Sequence, residues 1–164
     1  MKAAPFYPTL KERRDELVDM VCKRLKSSDA PHYRQTGSVE LRERSEALVD
    51  AFLGSAKGDP AAFVAYIGKL AEERIAEGFV LREIQLALSI LEEQAWQVAV
   101  ECSTISSLVP HLSLVTTTIG RAKDRLAEIF LDHKQRAESR AGQLERRLEA
   151  LFKGTDGVDL SEDQ

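Results

Sequence analysis

Apolar residues recur at intervals of three and four along most of this chain, a spacing that places their side chains on one face of an α-helix. Polar and charged residues fill the positions between them, so each predicted helix has one face suited to a core. The spacing predicts helices over about residues 9–26, from 38 to an end within 54–58, 60–77, from 81 to beyond 100, and 111–152. The first of these is expected to begin at Thr9 as its N-cap.

Glycine and proline stand mainly where these predicted helices begin and end. Asp59 and Pro60 are typical of an N-cap followed by proline at the first helical position, and Gly78 is well placed as a C-terminal cap. Pro110 is expected to separate the fourth helix from the fifth, because the residue before a proline avoids helical angles. With five prolines and nine glycines in 164 residues, the chain lacks the frequent turns of a β-sandwich. These signals predict an all-α bundle of about five helices with a long C-terminal helix.

The C-terminal segment is longer than a bundle of this size can contain. No proline follows Pro110, so an unbroken helix over residues 111–152 would extend roughly 60 Å at about 1.5 Å per residue. Its apolar positions continue into a seam typical of a coiled coil. We single out six seam residues as an interaction arm: Ile119, Leu126, His133, Leu144, Leu148 and Leu151. We therefore expect a bundle domain over residues 1–135, a projecting arm over 136–153 and a disordered acidic tail over 154–164.

The charged residues nearly balance overall but are distributed unevenly. The 27 acidic and 23 basic residues give a net charge of -4, which argues against a general binder of nucleic acid or of membrane surfaces. Residues 72–101 carry seven acids against two bases, whereas residues 121–153 carry nine bases against six acids. The two segments are expected either to attract one another or to form two solvated faces. Nucleic-acid binding by the basic segment is a weaker alternative, because acidic residues interrupt it.

No segment has the character of an export or membrane sequence. The N-terminus has one positive charge with no apolar run behind it, and the longest uncharged stretch, residues 102–120, contains eight Ser or Thr residues. Cys22 and Cys102 belong to no CxxC pair and are expected to be reduced core thiols. We therefore expect a cytoplasmic protein without membrane contact.

Residues that catalyse reactions or hold metals do not fall into a recognised pattern here. His32, His111 and His133 are far apart, and no glutamate has a histidine three residues later, as a helical di-iron site requires. A glycine-rich phosphate loop and a GxSxG motif are both missing. Two pairs of adjacent carboxylates, typical of solvated helix faces, are Glu72–Glu73 and Glu92–Glu93. We expect neither an enzyme nor a resident cofactor, and His111 and His133 are the candidates for an axial ligand should the bundle bind haem.

The predicted turn between the third and fourth helices combines an arginine, a glycine–aromatic step and a leucine-x-glutamate step. The motif residues are Arg74, Gly78, Phe79, Leu81 and Glu83. Gly78 permits a tight reversal, Phe79 and Leu81 set the angle between the helices, and Glu83 lies in the first turn of the next helix. Arg74 is expected to bind either Glu83 or the carbonyl groups that end the third helix.

This stretch resembles the N-terminal sensor domain of RsbR-type stressosome proteins, the RsbRD N-terminal family, and the likeness covers roughly residues 10–135. A related helix turn also occurs in helical modules that precede some transcription-factor output domains. The resemblance implies a globin-like helical domain without haem that dimerises and whose last helix leads to an output domain. Because the chain stops after the arm and tail, it further implies docking on a separate output protein or a scaffold whose arm mediates assembly.

The leading hypothesis is a non-enzymatic signal-transduction domain of the stress-response type, which dimerises through its long helix and acts by protein–protein contact. One alternative is a globin-like sensor that binds haem or another small ligand, with His111 or His133 facing a cavity. The other is a coiled-coil scaffold protein.

Overall fold

The computed structural model describes residues 6–57 and 59–155, and every regular element within them is an α-helix. The seven helices found in these residues are α1 (Phe6–Glu12), α2 (Arg14–Lys26), α3 (Pro31–Gln35), α4 (Ser38–Ala56), α5 (Pro60–Ala76), α6 (Leu81–Cys102) and α7 (Ile105–Thr155). The predicted all-α class and long C-terminal helix are confirmed.

Helices α4, α5 and α6 begin and end within two residues of the predicted positions. The predicted first helix differs, because it is divided at Arg13 into α1 and α2 and begins at Phe6. Thr9 therefore lies inside α1 and is not its N-cap. The earlier start follows from burial of Phe6 and Leu10, which are four residues apart on one face. A short helix, α3, also occupies the predicted connector.

Pro110 does not separate two helices, and the prediction that the last helix starts at His111 was wrong. Pro110 is the sixth residue of α7. Thr104 precedes that helix, with its N–H donating to Ser107 Oγ at 3.0 Å and its carbonyl accepting from the N–H of Leu108 at 2.9 Å. A proline this near the start removes only the bond to the carbonyl of Ser106, which lies in the exposed first turn and can be hydrated.

Residues Met1–Ile129 form one compact unit. Its core is built where α2 packs on α4 and α6, and where α4 packs on α5. The largest fully buried side chains include Phe52, Phe63, Ile67, Ile84, Leu88 and Leu91. Helix α5 approaches α7 closely at Gly68, where an added Cβ would lie 3.7 Å from both Arg125 Nε and Ile129 Cδ1.

The acidic face of α6 pairs with basic residues at the start of α2, within α2 and on α7. The three pairs are Arg13–Glu101, Arg24–Glu93 and Lys123–Glu92. Only the last, at 2.8 Å, joins the acidic segment to the basic segment as the sequence suggested. The first two are largely exposed pairs, and such pairs contribute little to stability.

Residues Phe130–Gln164 form the second unit, and residues 130–155 of it are the last part of α7. Its described side chains are almost all exposed. From residue 156 onward the predicted acidic tail lies outside the described residues. Across the described part of the chain, no helix has an apolar stretch of the length that a membrane crossing needs.

Candidate functional site

The turn between α5 and α6 is closed by two backbone hydrogen bonds. The N–H of Phe79 donates to the carbonyl of Arg74 at 2.9 Å, and the N–H of Gly78 donates to the carbonyl of Ile75 at 3.0 Å. Gly78 has a φ of 89°, a conformation that costs a residue with a Cβ about 1–2 kcal/mol. This is the Schellman arrangement, so the predicted role of Gly78 as a C-terminal cap is confirmed.

Glu83 holds the start of α6 against α3. Its Oε1 accepts from the backbone N–H of His32 at 3.0 Å, and its Oε2 accepts from the N–H of Val80 at 3.1 Å. His32 Nδ1 lies 2.8 Å from the same Oε2, and it carries the proton because an ionised carboxylate can only accept. Of the two partners predicted for Arg74, Glu83 pairs instead with His32, a residue 51 positions earlier in the chain. The Arg74 side chain donates to Glu77.

The carboxyl group of Glu83 is ionised in this setting even though the residue is only 3% exposed. Burial by itself would raise its pKa. The N–H groups of His32 and Val80 and the His32 ring outweigh that effect, and the pKa is lowered below its ordinary value. The site is thus an anchor formed by one buried charge and its hydrogen-bond donors.

The ring of Phe79 lies at the centre of the motif. His32 stacks on it at a centroid distance of 4.6 Å, and Tyr33 meets it edge-on at 5.1 Å. The guanidinium carbons of Arg44 and Arg74 each lie 5.7 Å from the ring centroid. Both distances are within the range of cation–π attraction.

Glu77 bridges the two arginines beside this ring. Its Oε1 accepts from Arg74 Nη1 at 2.9 Å, and its Oε2 forms an ion pair with Arg44 Nη2, also at 2.9 Å. Burial keeps the nearby hydroxyl of Tyr33 neutral by raising its pKa to about 12. The cluster therefore joins α3, α4, α5 and the start of α6.

The sequence did not identify His32, Tyr33 and Arg44 as members of this cluster. For Arg44, its position in the helix gave a signal. Arg44 lies three residues after Leu41 and four before Leu48, so it occupies a position of the apolar stripe of α4. Arg74 likewise lies three residues after buried Ala71. An arginine at an inward position needs a buried partner, and that pattern could have identified the site.

The imidazole ring of His111 contacts two neighbouring side chains. Its Nδ1 lies 2.6 Å from the hydroxyl of Ser103, and its ring stacks on Phe6 at 4.7 Å. His133 is half-buried in the second unit. Among the residues that the structure describes, no three metal-binding side chains converge. His111 lies in the first unit and His133 in the second.

The adjacent carboxylates on α6 have separate partners. Glu92 pairs with Lys123, and its neighbour Glu93 pairs with Arg24. Cys22 and Cys102 are free and half-buried, rather than fully buried in the core as expected.

The residues predicted to form the interaction arm differ in burial. Ile119 and Leu126 are fully buried within the first unit, so they belong to its core and must be removed from the predicted contact surface. In contrast, Leu144 is 59% exposed, Leu148 53% and Leu151 67%. We call these last three residues the exposed stripe.

Comparisons with known proteins do not place the chain in a family. No family model matches it, and no curated protein or solved structure shows significant similarity to it.

Proposed function

We propose that this chain is a non-enzymatic signalling domain that acts by protein–protein contact and forms a homodimer through the exposed stripe. The observation that supports this most is the exposure of large apolar side chains in the part of α7 beyond residue 129, where the exposed stripe is accompanied by Leu131 and Phe152. Exposed apolar side chains that share one helix face are typical of an interaction surface.

The spacing of the exposed stripe suits a two-stranded coiled coil. Ala141, Leu144, Leu148 and Leu151 step by three, four and three, which places them at successive a and d positions. In that register Arg140 falls at a g position and Glu145 at the following e position. Parallel copies then set opposite charges against each other, and this self-complementarity favours a second copy of the chain as the partner.

The signalling role rests on the resemblance to the RsbR-type sensor domain. Supporting it are the convergence of Arg74, Gly78, Phe79 and Glu83 in one turn and the presence of a long last helix. The globin-like arrangement without haem, the stress-response role, the cytoplasmic location and a separate output protein are parts of the same proposal.

Sedimentation equilibrium of the full chain tests the homodimer. Each stripe leucine is more than half exposed, and burying that surface is worth roughly 1 kcal/mol or more per side chain. Leu148→Glu removes that gain in both copies and places a charge in the seam. At about 1.4 kcal/mol per tenfold change, dimerisation should weaken by about thirtyfold or more.

Ala150→Glu is the matched control. It adds the same charge two residues away, on a side chain that lies about 130° around the helix from the centre of the stripe. We expect this variant to dimerise like the parent chain. A parent chain that stays monomeric at tens of micromolar, or equal effects of the two substitutions, would contradict the proposal.

A further inference from the structure

The residues that flank the exposed stripe on its two edges have different charges. In the register of the stripe, continued one heptad back along α7, the g positions are His133, Arg140 and Arg147, and the e positions are Glu138, Glu145 and Phe152. One edge therefore carries only basic residues, and the acids lie on the other edge. The b, c and f positions point away from the seam.

The charges on the two edges are accessible. Arg140, Glu145 and Arg147 are all exposed. Two ion pairs of this part of α7 lie within its own chain, Lys134–Glu138 at 3.9 Å and Asp132–Arg136 at 4.0 Å, and they involve none of those three residues. The three side chains can thus meet a second chain without first breaking an ion pair in their own.

A parallel pair of helices brings the two unlike edges together. In that arrangement a g residue faces the e residue five positions later in the partner chain. Arg140 then faces Glu145, and Arg147 faces the ring of Phe152, where a cation–π contact is possible. Because the pair is two-fold symmetric, each contact occurs twice.

An antiparallel pair brings like edges together. There the g residues face g residues and the e residues face e residues. Arg140 then meets only basic side chains, whichever way the two helices are aligned along their length, and Glu138 and Glu145 meet the acidic edge. Like charges set against each other oppose association, so the charge pattern favours the parallel orientation.

The leucines of the stripe determine how the two helices are aligned along their length. When equivalent residues lie side by side, Leu144, Leu148 and Leu151 each meet their own counterpart. A shift of one heptad keeps a against a and d against d, but it retains a single leucine–leucine layer, Leu144 against Leu151. The in-register pair buries the most apolar surface.

We propose that two copies of this chain pair through the exposed stripe in parallel and in register, so that the ends of the two α7 helices lie side by side. This inference rests on the proposed homodimer and adds the orientation of the partner chain. A protein that binds this end of α7 would meet two identical surfaces related by a two-fold axis.

Reversing one charge at a time distinguishes the two orientations. Arg140→Glu turns both Arg140–Glu145 contacts of a parallel dimer into repulsions. Sedimentation equilibrium of the full chain at low ionic strength should show dimerisation weakened about fivefold or more. Adding Glu145→Arg restores opposite charges, so the double variant should dimerise within about twofold of the parent chain.

Arg146→Glu is the matched control. It makes the same change of charge at an f position, which points away from the seam in either orientation, so it should dimerise like the parent chain. The parallel orientation is overturned if Arg140→Glu leaves dimerisation unchanged or strengthens it, as an antiparallel pair requires. It is also overturned if the double variant stays as weak as Arg140→Glu, or if Arg146→Glu weakens dimerisation equally. A parent chain that stays monomeric at tens of micromolar would instead refute the homodimer itself, and the orientation with it.

Discussion

Replacing Glu83 by glutamine tests the anchor between α3 and α6. The carboxylate accepts from two backbone N–H groups and from the His32 ring, and the residue is almost fully buried. Glutamine has one oxygen where the carboxylate has two. Whichever way its amide is turned, its NH₂ group faces the N–H of either His32 or Val80, which then loses its acceptor.

The cost follows from that lost acceptor. A buried donor left without a partner costs about 1–3 kcal/mol, and a bond to an ionised acceptor is stronger than one to an amide. We therefore expect Glu83→Gln to lower the free energy of unfolding by about 2 kcal/mol. For a chain of this length, that corresponds to a fall in Tm of about 4–8 °C.

The difference between parent and variant must depend on pH. The pKa of Glu83 is lowered in the folded chain, so its contribution is fully present above the unfolded pKa of about 4.3 and is lost as the pH falls through the lower folded value. A protonated Glu83 resembles glutamine. Urea titrations of both chains at several pH values should show the difference shrinking steadily below about pH 4.

Glu93→Gln is the control for this experiment. Glu93 lies on the same helix, but it pairs at the surface with Arg24, where such pairs are worth less than about 1 kcal/mol. Glu83 is not the anchor described above if Glu83→Gln lowers the free energy of unfolding no more than Glu93→Gln does, or if its effect is the same at pH 3 and pH 7.

Further substitutions test other parts of the fold. Gly78→Ala should destabilise the chain by about 1–2 kcal/mol in urea because of the positive φ, whereas Gly120→Ala, in open space within a helix, should stabilise it by up to about 1 kcal/mol. Burial raises the pKa of Tyr33 to about 12, above the value of about 10 in an unfolded chain, so the folded chain loses stability as the pH rises from about 10 to about 12. A Tyr33→Phe chain, which lacks this hydroxyl, should lose less stability than the parent chain over the same pH range in urea titrations. Leu126→Ala should cost about 2–5 kcal/mol in the melting of the first unit, while Leu144→Ala should leave that melting unchanged.

The helices could be predicted where local chemistry determines them. Asp59 accepts from the N–H of Ala62 at 3.2 Å, and Pro60 begins α5 as expected. Gly78 ends the same helix because no other residue adopts its φ without strain. Pro110 misled because α7 continues through it, at the loss of one hydrogen bond to the carbonyl of Ser106 in the exposed first turn.

The partners of the motif residues depend on tertiary contacts that local rules do not encode. Glu83 could be assigned to the first turn of α6, but its partner His32 lies in a connector far away in the chain. The apolar seam of the last helix is continuous in the sequence, yet burial separates Leu126 from Leu144. Periodicity reports that a face is apolar without reporting what covers it.

Amide hydrogen exchange at two protein concentrations tests most directly whether the exposed stripe is an interface. A lone helix frays and exchanges fast, whereas a paired helix is protected. If the exposed stripe is an interface, the amides of residues 141–152 exchange more slowly at about 100 μM than at about 1 μM, a range that brackets a micromolar Kd, while those of α4 do not change. Equal exchange of residues 141–152 at both concentrations would contradict an interface there.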